Sequence, residues 1–335
     1  MKKILTICYV SLAAAFILPL FLRAVPESAP PDLELPPLTS AAPEPAPIPA
    51  PEPTARAEMC KTIAVLADGA SVEMNTTDYL TGVVAAEMPA SFNVEALKAQ
   101  AVAARSYAMY CALQQKHGAA QVCTDSACCQ AYLGREALRE RWGADFEEYY
   151  GKISTAVRAT AGEYLAYEGE PVLAVFHSSS AGRTAASGSV WNAVPYLLSV
   201  TSPESADTVP GYISSLELSP LDFRDTLLAL CPEADFSGEE SGWIGECRRD
   251  ESGRVESIRL GGAEFTGAEL RSAFRLRSTA FELAYTGAAF RFTVTGYGHG
   301  VGMSQYGANV MAGQGSDYRE ILLHYYPGTE LTGSD

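Results

Sequence analysis

The sequence predicts an α+β domain behind an N-terminal segment of different composition. Three observations lead there. Runs rich in β-branched and aromatic residues, TIAVLAD (62–68), VLAVFHS (172–178), VESIRLG (255–261) and FRFTVTG (290–296), read as strands. They are interleaved with helical patterns, but without the regular alternation of a doubly wound sheet. The chain has 335 residues, 47% of them apolar, which is enough to bury a real core. Residues 205–290 are richer in turns, acids and short strands, and suggest a β-rich subdomain inserted before a glycine-rich tail.

The N-terminus reads MKKILTICYVSLAAAFILPLFLRAV. Lys2 and Lys3 precede an uncharged run from Ile4 to Leu22, about the length of one spanning helix. Flanking cations keep that end in the cytoplasm and send the remainder across. A cleaved signal peptide would have a shorter apolar region and a small-x-small cleavage site, so residues 1–23 are expected to be a retained membrane anchor. Residues 24–57 follow as a Pro-rich linker, extended and without a core of its own; 11 of the 20 prolines lie there. Residues 58–335 then form the extracytoplasmic domain. A formal net charge of −16 weighs against nucleic acid or anionic lipid as a partner and is no obstacle to a neutral sugar chain.

The stretch TTDYLTGVVAAE predicts a short helix capped by Thr77, with Asp78 in its first turn and Pro89 stopping it. Leu80, Val84 and Glu87 share one face, so Glu87 sits at a helix C-terminus beside core-forming residues. Desolvation and the negative end of the helix dipole both raise a carboxyl pKa there. A carboxyl that stays protonated near neutrality can donate to a leaving group. The competing reading is an ordinary surface glutamate on a last turn.

The next stretch, NVEALKAQAVAARSYAMYCALQQKHG, predicts a helix capped by Asn93 and closed at Gly118. The small-residue stripe Leu97, Ala101, Ala104, Ala108 and Cys111 marks it as central and buried. Arg105 falls on one flank with Lys98, and Gln100 on another with Tyr107. They are either solvated edges or groups beside the glutamate.

Seven cysteines follow the apolar run: Cys60, Cys111, Cys123, Cys128, Cys129, Cys231 and Cys247. An odd number cannot all pair internally, so one thiol is free or several hold a metal. Cys231 and Cys247 are a reasonable disulfide outside the cytoplasm. Cys8 lies within the apolar run and lacks the context of a lipidation site.

The run YLTGVVAAEMPASFNVEALKAQAVAARSYA (79–108) closely resembles the signature of the stage II sporulation protein D family. FHSSSAGRTAASGSVWNAVPYLLSV resembles its third marked stretch, and GYGHGVGMSQYGANVMAGQGSDYREILLHYYPGTEL (296–331) resembles its closing signature. That family sits with the amidase enhancers and contains lytic transglycosylases of bacterial peptidoglycan. The resemblance implies that Glu87 is the essential acid/base and that the substrate is glycan already stripped of stem peptides by a partner amidase. It further implies a membrane-anchored role in engulfment during sporulation, beside other engulfment membrane proteins.

No second acid is embedded in a comparable motif, although most glycosidases use two. Lytic cleavage accounts for one, because the attacking hydroxyl belongs to the substrate itself. Hydrolysis by the same acid is the alternative outcome.

His117, Cys123, Cys128 and Cys129 follow the buried helix closely, and thiolate with imidazole is a usual zinc ligand set. A local disulfide beside an unrelated histidine is the rival. The resemblance implies His117, Cys123 and Cys129 as ligands, since zinc-binding members carry one histidine and two cysteines at those positions. Cys128 stands where the family more often has histidine, and could be a ligand, a disulfide partner or a bystander. Zinc would organise the structure or the groove and is not required for the acid/base step.

His177, with Ser178 and Ser180 as hydroxyl partners, is either a substrate contact or a histidine closing a strand; Ala181–Gly182 stands where relatives carry two glycines. In GYGHGVGMSQYG the phosphate-loop and dinucleotide spacings are both missing, and the glycines permit positive φ and close approach to a ligand. His299, Gln305 and Tyr306 are the groups there that could touch sugar. His324 reads as packing. Two other functions compete with the transglycosylase: an amidase enhancer that binds the wall without cutting it, and a zinc hydrolase built on His117 and the cysteines.

Overall fold

A computed structural model describes residues 61–67 and 69–333. The expected anchor (1–23) and linker (24–57), with Cys8 and Cys60, lie outside the described residues. Among those described, no helix is long and apolar enough to cross a membrane. The architecture is mixed α+β.

Strands β1 (Thr62–Ala67) and β2 (Ala70–Asn75) form an antiparallel hairpin, and β3 (Val122–Cys123) joins β1 in parallel. Helix α1 (Thr76–Glu87) follows directly. Its cap is Asn75, two residues before the expected Thr77, because the Asn75 Oδ1 accepts from the N–H groups of both Thr77 and Asp78. The helix stops where Pro89 predicts, with Met88 extended at φ −121°.

Helix α2 (Val94–Gln114) is capped by Asn93, as expected, and is enclosed on nearly all sides. It packs against α4 (Phe146–Ala159), β4 (Glu163–Tyr167), α7 (Gln305–Gly313) and α8 (Tyr318–Tyr325). The alanine stripe permits this, since Leu97, Ala101 and Ala104 have no exposure. Each large apolar side chain so enclosed contributes about 1.5–3 kcal/mol over an exposed one. The helix ends at Gln114, short of its expected close at Gly118. Gln115 itself adopts a left-handed φ of 50°, so Lys116 and His117 lie in the following turn. That early exit is what carries His117 towards the cysteines.

Short α3 (Arg135–Trp142) precedes α4, and β5 (Glu170–Pro171) and β14 (Glu330–Gly333) flank β4 in an antiparallel sheet. The run 172–178 is buried apart from the half-buried Leu173 and Ser178, but only β6 (Phe176–His177) is strand. Ala174 and Val175 bond back to the carbonyls of Val172 and Leu173, which takes them out of any ladder. Strand β13 (Met303–Ser304) pairs in parallel with β6, setting Met303 opposite Phe176 and Ser304 opposite His177. This short pairing joins the HSSS stretch to the glycine-rich tail.

A second hydrophobic cluster gathers residues from Phe223 to Val294. It is formed by β7 (Ile213–Leu218), α5 (Pro220–Leu230), β8 (Ile244–Arg249), β9 (Val255–Leu260), β10 (Ala263–Thr266), α6 (Gly267–Ala273), β11 (Phe281–Tyr285) and β12 (Phe290–Thr295). Two three-stranded sheets, ordered β10-β9-β8 and β11-β12-β7, enclose it. Phe290 is stacked between Phe223 at 4.0 Å and Trp243 at 5.4 Å. The expected Cys231–Cys247 disulfide is absent: both thiols are free, Cys231 half-buried after α5 and Cys247 exposed on β8.

Candidate active site

Glu87 is the last residue of α1 and is half-buried. Its Oε1 accepts a hydrogen bond from the Ala131 N–H at 2.9 Å. Burial pushes its carboxyl up to about 7, and the Ala131 bond pulls in the opposite direction without cancelling that rise. The result is an acid poised to lose or keep its proton at neutral pH, the property expected from its place in the sequence.

The segment that supplies Ala131 lies tight on α1. Leu133 N–H bonds to the Gly82 carbonyl, and the Tyr132 ring stacks on Tyr79 at 5.7 Å. A side chain at Gly82 would stand 2.5 Å from the Tyr132 ring and 2.6 Å from the Leu133 carbonyl oxygen. Gly82 is therefore the residue that lets the Ala131 donor reach Glu87.

The loop after Glu87 is held from several directions. Lys152 Nζ donates to the carbonyls of Ala90 at 2.8 Å and Phe92 at 2.6 Å. The Phe92 ring meets the Tyr306 ring edge-on at 4.9 Å, and Asn93 N–H donates to Asn309 Oδ1. Tyr306 N–H in turn donates to the Ser178 carbonyl, and the Gln305 amide donates to Gln100 Oε1 at 3.5 Å. Of the expected substrate residues, Gln100, Ser178, Gln305 and Tyr306 are thus linked by contacts that lead back to the Glu87 loop. Gln100 and Gln305 are buried, whereas Tyr306 and Ser178 are half-buried.

The remaining expected contacts are placed differently. Arg105 is buried and donates through Nη1 to the carbonyls of Thr160 and Glu163, so it ties the end of α4 to β4 rather than facing a ligand. Tyr107 is buried towards the cysteines, its hydroxyl 3.5 Å from the Cys128 carbonyl. His177 is buried, its Nδ1 3.1 Å from the Val301 carbonyl, and Ser180 is buried with its N–H on Glu204. The sequence pattern did not reveal the orientations of Arg105 and Tyr107, because a helix of small residues presents almost every face to a neighbour. His299 is half-buried, with its Nε2 2.9 Å from the Phe176 carbonyl and its ring 5.0 Å from Trp191. Burial and nearby arginines depress its pKa to about 3, so the ring is neutral. His324 packs through Nε2 against the Thr201 carbonyl, as expected.

Motif reading also missed Glu204. Its buried carboxylate accepts from Ser180 N–H, Ser304 Oγ and Ser202 Oγ, and Ser202 also meets the Tyr325 hydroxyl. This hub fixes the HSSS stretch to the start of α7. No motif signals it, since Ser180 and Ser304 lie 24 and 100 residues away in the sequence.

His117, Cys123, Cys128 and Cys129 converge so that one ligand atom from each lies within 4.8 Å of the others. His117 Nε2 is 3.2 Å from Cys129 Sγ and 3.7 Å from Cys128 Sγ. Three thiols and one imidazole make a complete donor set for a four-coordinate zinc ion, so the residues fit such a group. Cys128 joins the set that the sequence left at three.

The family model described as Stage II sporulation protein matches residues 69–167. The chain is 36% identical over 262 residues to the stage II sporulation protein D of Bacillus amyloliquefaciens, covering 77% of this chain and 74% of that protein. The corresponding protein of Bacillus subtilis (strain 168) is 35% identical over 263 residues, with the same coverage. A Bacillus subtilis (strain 168) protein named Amidase enhancer is 31% identical over 306 residues, covering 76% of this chain and 40% of that protein.

Proposed function

This chain belongs to the stage II sporulation protein D family, and from that membership we propose that it is a peptidoglycan lytic transglycosylase. The observation that carries the reading is the half-buried carboxyl of Glu87, held by Ala131 and titrating near neutrality. In this reading, protonated Glu87 donates to the oxygen joining N-acetylmuramic acid to N-acetylglucosamine. The bond breaks with its electron pair on the departing oxygen, leaving an oxocarbenium-like muramyl centre. The ionised Glu87 then takes the proton of the C6 hydroxyl on the same sugar as that oxygen closes a 1,6-anhydro ring. The carboxyl ends as it began, and no second acid is needed.

The half-buried Tyr306 and Ser178, joined to the Glu87 loop through Phe92, are the groups proposed to meet the sugar. His117, Cys123, Cys128 and Cys129 are proposed to hold zinc. Four protein donors leave no open position, so the ion would cross-link the turn after α2 to the segment that presents Ala131. The same reading takes residues 1–23 as a membrane anchor, with the domain facing the wall on the outer side of the cell membrane.

The second reading is an amidase enhancer that binds the wall and stimulates a partner amidase without cutting glycan; the relative of that name favours it. The test incubates the protein and its Glu87→Gln variant with amidase-stripped glycan, and separately with intact wall plus an amidase. Anhydro-ended products from the parent alone support the transglycosylase. Amidase stimulation by both, with no glycan cutting by either, supports the enhancer.

A further inference from the structure

Arg254 is buried, yet its Nε, Nη1 and Nη2 have no hydrogen-bond partner among the described residues. A buried cation in that condition is costly unless something meets it. The carboxylates within electrostatic reach, Asp250 and Glu204, are already engaged. Asp250 Oδ1 accepts from the N–H groups of Arg254 and Ser252 and from the Ser252 hydroxyl. Glu204 serves the three serines described above. Neither is hydrogen-bonded to the guanidinium.

Arg254 immediately precedes β9 and reaches across to the GYGHGVG loop. Gly300, at φ +85°, lies so close that a Cβ there would overlap the guanidinium. Arg271 is within electrostatic reach of both Arg254 and His299, and Arg277 lies over the Tyr297 ring at 5.5 Å. His177, also within reach of Arg254, has an Nε2 without a partner among the described residues. Three arginines therefore converge on one loop of a chain whose net charge is −16. The half-buried Trp191, against His299, offers an aromatic face at the rim of that cluster.

We propose that Arg254 and the Tyr297–Gly300 loop form an anion site that takes the carboxylate of an acidic sugar, the ring lying on Trp191. The planar guanidinium fork matches a carboxylate. The inference rests on the glycan reading above. In a glycan strand the group concerned is the lactyl carboxylate of muramic acid, which is anionic only after the peptide amide has been removed. The guanidinium lies beneath the loop, so binding includes a shift of the loop or of the Arg254 side chain.

The test uses calorimetry in the Glu87→Gln background, so that the ligand is not turned over. One probe is a stripped glycan oligosaccharide with free lactyl groups; the other is the same oligosaccharide with those groups converted to methylamides. The free acid is expected to bind about ten-fold tighter or more, a preference lost on adding Arg254→Gln. Should that variant fail to fold, the Arg254 Nε–H resonance of the Glu87→Gln protein is expected to shift with the free acid and not with the capped probe. Equal affinities for the two probes overturn the site, as does a ligand-bound crystal structure in which only waters meet the guanidinium. Cutting of stripped glycan by the parent with no preference between probes defeats this site and leaves the transglycosylase reading standing. A preference with no cutting does the reverse.

Discussion

Ala131 N–H donates to Glu87 Oε1 across 2.9 Å, so the carboxyl at the end of α1 is fixed by a main-chain group from a segment 44 residues later. The bond favours the ionised acid while burial favours the neutral one, and their balance leaves the carboxyl near 7. A pH-resolved rate profile should show it. The acid must be protonated to donate, so kcat/KM on stripped glycan is expected to fall as pH rises through about 7. A rate unchanged from pH 6 to pH 9 contradicts the role.

The same shift bears on stability. The folded carboxyl keeps its proton to about 7, whereas the unfolded chain releases it near the ordinary value of 4.5. The native state therefore binds more protons between those values and loses stability as pH rises through them. Glu87→Gln removes the cost of ionisation. Its Tm is expected to match the parent near pH 4 and to exceed it increasingly up to about pH 7, as thermal unfolding across pH will show.

Lys152 holds the loop after Glu87 through the carbonyls of Ala90 and Phe92. Lys152→Met keeps most of the aliphatic stem and removes both bonds. The variant is expected to lose about 1–3 kcal/mol of stability in denaturant unfolding, together with a drop in kcat on stripped glycan. Unchanged activity in a destabilised but folded variant shows that the clamp is structural only.

Metal analysis of the purified protein is expected to give one zinc ion per chain. A chelator should lower its Tm, and Cys128→Ser should make the ion easier to remove, because Cys128 completes the donor set. Retention of zinc with unchanged affinity in Cys128→Ser assigns the site to the other three residues.

Phe290 has no exposure and stacks on Phe223 and Trp243 in the second cluster. Phe290→Ala is expected to cost about 3–5 kcal/mol by chemical denaturation. A cost below about 1 kcal/mol means that the cluster is not a packed core.

Much of this was legible in the sequence. The end of α1 at Glu87 and the Asn93 cap of α2 follow from short-range chemistry, namely a proline two residues on and an Asx side chain before a helix. Strands β1, β9 and β12 follow from β-branched runs. What was not legible depends on groups far apart in the chain. Ala131 contributes only a backbone N–H, which any residue but proline provides. Glu204 and Arg254 sit in no recognisable motif; Glu204 joins Ser180 and Ser304, 24 and 100 residues away, and Arg254 meets a distant loop through a glycine that permits close contact. Arg105, Tyr107 and His177 show the opposite case. Their residue types suggest a ligand, and burial gives them internal partners instead. The approach of His117 to Cys123, Cys128 and Cys129 depends on Gln115 ending α2 early, a backbone choice that a non-glycine residue does not announce.

The most direct test is a carbon-13 NMR titration of the Glu87 carboxyl, assigned by its absence in Glu87→Gln. A midpoint near pH 7 is expected. A midpoint in the ordinary carboxylate range, near pH 4, would contradict it, because the group would then hold no proton to give at the pH of the cell.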